Sequence, residues 1–99
     1  AGDPTLGYNL MKMALYTLAQ GDDAPAYVLF MNDGVKLPAG EGAQVIESVQ
    51  TLVDKGTKVL VCGTCLNYYG LAERLKVGVV SNMYDILGAM QHADKVISL

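Results

Sequence analysis

The sequence predicts an α/β fold, a three-layer α/β/α sandwich built around a mainly parallel sheet. Three observations carry that expectation. Residues 26–31 (AYVLFM) and Lys58–Cys62 (KVLVC) are short, nearly continuous apolar runs bounded by turn residues, as strands covered on both faces require. Segments of helical periodicity lie between such runs, and strands alternating with helices imply right-handed βαβ crossovers. Hydrophobic residues make up 52% of the 99 residues and charged residues 17%, which favours one packed core over disorder. The length fits a single domain over residues 1–99.

Residues 5–20 read as an amphipathic helix, with Leu6, Leu10, Met13, Ala14 and Leu18 at three- and four-residue steps. Asp3, Pro4 and Thr5 supply capping residues at its start, and Gly21-Asp22-Asp23 a stop. The first strand, 26–31, ends in the turn sequence Asn32-Asp33-Gly34, and residues 35–41, carrying Pro38 and Gly40, read as a loop. A second helix is expected over 42–55, with Val45, Ile46, Val49, Leu52 and Val53 on one face and Gly56 closing it. The strand Lys58–Cys62 follows, then the loop Gly63-Thr64-Cys65, a short helix near 68–75 and a small strand over 77–80. Residues 82–93 read as a helix capped by Ser81 or Asn82, and 95–99 (KVISL) as a closing strand. The chain opens on a helix, whereas doubly wound sheets begin with an interior strand. A first strand is therefore expected upstream of Ala1, missing from this chain, or replaced by a neighbouring chain.

Composition excludes several functions. Seven Lys+Arg against ten Asp+Glu give a net charge of −3, and a pI near 4.8 without a basic cluster argues against nucleic acid as a partner. No apolar run approaches the roughly 20 residues that span a bilayer, so no membrane partner is expected. Two cysteines do not make a secreted disulfide scaffold, and the start lacks the layout of a signal peptide; the expected location is cytoplasmic. No phosphate loop, no GxGxxG after a strand and no Ser/His/Asp arrangement is present. The low charged fraction points to apolar surface meant for other subunits.

The dense chemical feature is Cys62-Gly63-Thr64-Cys65. The strand ending at Cys62 puts both thiols at the carboxyl end of the sheet, where open α/β folds place their ligands. Backbone N–H groups of a following helix lower a nearby thiol's pKa. With Thr64 as N-cap, Cys65 sits in the first helical turn; with Asn67 as cap, Cys65 lies in the loop and Cys62 is the better-supported nucleophile. The residues leave both arrangements open. The pair is compatible with two buried structural cysteines, with a thioredoxin-like exchanger, or with a thiol that carries sulfur as a persulfide. A zinc site lacks ligands, because only His92 could add to the two thiols and four are wanted; no metal is expected. No proline lies downstream of the motif, which counts against a thioredoxin fold.

Around the motif, Asn32 and Asp33 follow a buried strand and belong at the same sheet edge, where they serve either as an ordinary turn or as pocket residues. Asn82 is either a helix cap or a donor to a bound anion. His92 reads as a surface residue at a helix C-terminus, the five methionines as gap-fillers, and Tyr68 and Tyr69 as cover for the thiols or a subunit contact.

The segments LGYNLMKMAL, VLFMNDGVKL, VLVCGTCLNYYGL, VGVVSNMYDI and KVISL resemble the DsrE-like family across nearly the whole chain. CGTCL with the later NMY most resembles the C-terminal domain of YedF-type sulfurtransferase-like selenium metabolism proteins. The resemblance implies a five-stranded parallel sheet, homo-oligomers and a role in sulfur relay. It also implies a small carrier protein of the TusA type as donor, either a partner or an upstream domain of the same protein. It implies that Cys62 holds the relay position and that Cys65 is the extra cysteine of the YedF-like branch. Gly63, Thr64, Asn32, Asp33 and Asn82 are the supporting residues, and no cofactor is expected. The alternatives are a non-catalytic oligomeric interaction module and a CxxC dithiol oxidoreductase.

Overall fold

Among the described residues, strand β2 (Lys58–Cys62) forms the centre of a three-stranded parallel sheet between β1 (Tyr27–Phe30) and β3 (Val79–Ser81). The computed structural model describes residues 3–92, and the closing strand expected at 95–99 lies outside them. Val28 pairs with Val59 and Phe30 with Val61; on the other side Leu60 pairs with Val79 and Cys62 with Ser81. Among the described residues β1 and β2 are direct hydrogen-bonded neighbours, and the extra interior strand expected from the winding rule is not among these residues. The α-helices among the described residues are α1 (Pro4–Gln20), α2 (Ala43–Asp54), α3 (Gly63–Tyr68) and α4 (Met83–His92). An α/β fold with a parallel sheet is thus what the strand–helix alternation produces.

β2 is the strand of the three that packs most deeply, with Val59, Val61 and Cys62 buried. In β1 only Phe30 is buried, and in β3 Val79 and Val80 stay exposed. The expectation of strands covered on both faces therefore holds for the centre and not for the two outer strands. The third strand also begins later than the apolar run suggested. Gly78 adopts φ +93°, a left-handed conformation that breaks extended backbone before Val79. A Cβ there would stand 2.9 Å from Val59 Cγ1, so close approach to β2 also requires glycine.

α1 starts where Asp3 Oδ1 accepts the amides of Thr5 (2.8 Å) and Leu6 (3.2 Å), satisfying two orphan donors. Its buried side is not the predicted stripe. Leu15 and Ala19 enter the core, whereas Leu6, Leu10 and Met13 are 58%, 56% and 63% exposed. Apolar residues occupy more than one face of this helix, so periodicity alone could not choose between them. Val45, Val49 and Leu52 of α2 join Leu15, Ala19, Val59, Val61, Leu66 and Ile86 in one core. Lys55 at the end of α2 donates to the carbonyls of Ala19 and, at 2.8 Å, Gly21, fastening α2 to the carbonyl end of α1. The buried Thr57 hydroxyl is satisfied by Pro25 O at 2.7 Å. No helix among the described residues is long and apolar enough to cross a membrane.

Candidate functional site

The chain leaves β2 and enters α3 without an intervening loop, because helical geometry begins at Gly63. Cys62 is therefore the N-cap residue of α3, in extended conformation (φ −63°, ψ 116°), and Cys65 is the third helical residue. Neither Thr64 nor Asn67 caps the helix, and the short helix lies upstream of its expected place. It ends where that helix was expected to begin, because Gly70 at φ +66° closes it. The Leu71 amide then reaches back to Leu66 O at 2.8 Å, as in a glycine-terminated helix end. Gly63 has a geometric duty: a Cβ would lie 3.1 Å from Val80 Cγ1 and 3.2 Å from Ser81 O, so its hydrogen lets α3 start against β3. Thr64 is exposed and contributes its backbone.

The two sulfurs are free thiols in unlike surroundings. Cys62 is 3% exposed and Cys65 is partly exposed. Burial pushes the Cys62 thiol up, but the amide of Cys65, the thiol of Cys65 and the amide of Thr64 together outweigh it, leaving it below its ordinary value. These donors favour the thiolate without closing a full side-chain cap. Cys65 moves the opposite way. Its thiol is held up by donating to Cys62, then by burial, and the Asn32 amide only partly opposes this. Of the two thiols, Cys62 is therefore the easier to ionise.

Asn32 and Asp33 do come to this edge of the sheet. They open a 3-10 turn, Asn32–Lys36, in place of the simple turn and loop expected. Asn32 takes φ +51°, which asparagine tolerates better than most residues, and its amide donates to Cys65 Sγ at 3.2 Å. The Tyr69 hydroxyl donates to Asp33 Oδ1, and Lys36 Nζ lies 4.4 Å from the centroid of the Tyr69 ring. Tyr69 thus latches the turn to the end of α3. Tyr69 and Lys36 were not among the residues predicted to support the site; the tyrosine pair beside the motif was the available signal, and its partners lie more than thirty residues away. Asn82 is not gathered into the cluster as a free donor. Its Oδ1 accepts the Asp85 amide at 2.9 Å and its Nδ2 faces Asp85 Oδ2 at 3.3 Å, so it caps α4. His92 is exposed and faces Gly88 O at 2.7 Å on the last turn of α4.

The latch makes a prediction. The Asp33 hydrogen bond is the leading cause that holds the Tyr69 phenol above its ordinary range, followed by burial and by the Asp33 charge. In Asp33→Ala, one tyrosine should ionise at lower pH than in the parent, read by tyrosinate absorbance. An unchanged titration would remove the latch.

What this arrangement offers is thiol chemistry. Among the described residues no group of three or more His, Cys, Asp or Glu could hold a metal ion. An open groove along α2, lined by Ile46, Gln50, Asp54 and Lys76, does not include the cysteines. The model of the DsrE/DsrF-like family matches residues 1–99. No curated protein and no solved structure matches the chain.

Proposed function

The chain belongs to the DsrE/DsrF-like family, which is associated with sulfur relay, and from that premise we propose that it carries sulfane sulfur on Cys62 between partner proteins. The Cys62 thiolate attacks the outer sulfur of a donor persulfide. A new S–S bond forms at Cys62, the donor's S–S bond breaks, and the donor leaves as a thiol after taking up a proton. An acceptor thiolate then removes the same outer sulfur by the mirror step. If no acceptor arrives, Cys65 attacks the inner sulfur, releases hydrogen sulfide and leaves a Cys62–Cys65 disulfide, which a thiol reductant reopens. The observation that carries this reading is the place of Cys62 at the start of α3, where the amides of Thr64 and Cys65 favour its thiolate.

The donor we infer is a small carrier of the TusA type, and the setting a reducing cytoplasm that keeps the pair as dithiols. On CGTCL and the later NMY we place the chain with the YedF-type domains, which makes selenium a second chalcogen for the same thiolate. The open stripe of Leu6, Leu10 and Met13 supports assembly into a homo-oligomer.

Intact-mass measurement after incubation with a low-molecular-weight persulfide tests the reading. The expected result is a gain of about 32 Da, one sulfur atom, mapped to Cys62. A protein of unaltered mass overturns it. The contact between the two thiols also favours a dithiol oxidoreductase, which should reduce insulin disulfides at a rate a relay protein does not match.

A further inference from the structure

Ser81 is the last residue of β3 and the direct partner of Cys62 in the parallel ladder. Paired residues of neighbouring strands send their side chains to the same face of a sheet, with backbones about 4.8 Å apart. The Ser81 hydroxyl is consequently a neighbour of the Cys62 thiol at the carboxyl edge. Its oxygen is buried and has no hydrogen-bond partner among the described residues. A buried hydroxyl without a partner is costly, and Asn82, not Ser81, caps the helix that follows. Among the described residues the hydroxyl therefore has no structural bond to account for its place.

We propose that Ser81 is a positioning residue for the loaded state, its hydroxyl donating to the terminal sulfur of a persulfide on Cys62. This rests on the sulfur-carrying reading above. An S–S bond is about 2.05 Å long, so loading moves the outermost acceptor from Cys62 Sγ to an atom roughly 2 Å further out. The empty thiol makes no bond to Ser81, and the added sulfur provides the missing acceptor. The terminal atom of a persulfide carries the negative charge once deprotonated, and hydrogen bonds to charged acceptors are the stronger ones. No bond is made or broken in this role. Ser81 holds the outer sulfur in place after Cys62 has taken it from the donor.

The experiment compares Ser81→Ala and Ser81→Thr with Ser81 itself in a Cys65→Ser background, where the adduct cannot resolve into a disulfide. The probe is glutathione persulfide, and the readouts are adduct lifetime by intact mass, the pH profile of Cys62 alkylation in the unloaded protein, and the melting temperature. Ser81→Ala should shorten the adduct lifetime about tenfold, the loss of one charge-assisted hydrogen bond, and Ser81→Thr should restore it. The alkylation profile of unloaded Cys62 should not move, and the melting temperature should stay level or rise, because an unsatisfied buried hydroxyl has been removed. An unchanged lifetime in Ser81→Ala overturns the role of Ser81 and leaves sulfur carriage standing. A fall in melting temperature with no change in lifetime assigns the hydroxyl to the fold and also overturns it. No adduct on any variant, including the one retaining Ser81, overturns both.

Discussion

Replacing Cys62 by serine should abolish sulfur loading, by at least about a hundredfold, while the fold survives. A serine hydroxyl does not ionise in the accessible pH range and is no match for a thiolate as a nucleophile toward sulfur. Serine is at the same time a favoured N-cap residue, and at the start of α3 its oxygen can accept the amides of Thr64 and Cys65 that favour the Cys62 thiolate. The melting temperature should thus stay near that of the parent, which separates lost chemistry from lost structure. Cys65→Ser should do the reverse, accepting sulfur and accumulating it. Loading that persists in Cys62→Ser and vanishes in Cys65→Ser would make Cys65 the acceptor. The pH dependence has a definite sign. The Cys65 thiol helps to lower Cys62, so Cys65→Ala should move the midpoint of Cys62 alkylation to higher pH.

The second large effect is expected at Leu66, which is wholly buried and sits on α3 directly after Cys65. A six-residue helix cannot hold itself together in water, since nucleation is costly; α3 exists because Leu66 fastens it to the core formed with Val59, Val61 and Ile86. Leu66→Ala should cost about 2–5 kcal/mol through lost transfer energy and the cavity left behind, a large part of the roughly 5–15 kcal/mol available to a domain. Thermal melting should fall by at least about 10 °C, and Cys62 should titrate at higher pH as the amides of Thr64 and Cys65 lose their place. Tyr68→Ala, at a side chain 82% exposed on the same helix, should stay within about 0.5 kcal/mol of the parent. Comparable losses from both substitutions would show that Leu66 is no anchor.

How much of this was legible in the residues differs from element to element. KVLVC could be placed to the residue as a strand because apolar continuity, β-branched residues and a following glycine agree. The helix over 42–55 was found because its apolar residues fall on one face. α3 was misplaced because Cys62 caps it through its backbone conformation, without a serine, threonine or aspartate to announce the start. The buried face of α1 was misread because two apolar stripes share one helix, and only tertiary packing selects Leu15 and Ala19. The thiol pair was visible as a spacing, and Asn32 and Asp33 as neighbours at a sheet edge. That Asn32 acts through its amide, and that Tyr69 holds Asp33, depend on contacts between segments far apart in the chain, which no local pattern encodes. Ser81 could be read only as a possible cap; its pairing with Cys62 appears once the strands are in register.

The thiol lowered below its ordinary value belongs to Cys62, which is 3% exposed, and the raised one to the more open Cys65, so ease of ionisation and exposure reside on different atoms. A thiolate at an open surface meets every peroxide and electrophile in solution, whereas one formed on Cys62 is withdrawn from solvent and meets few of them.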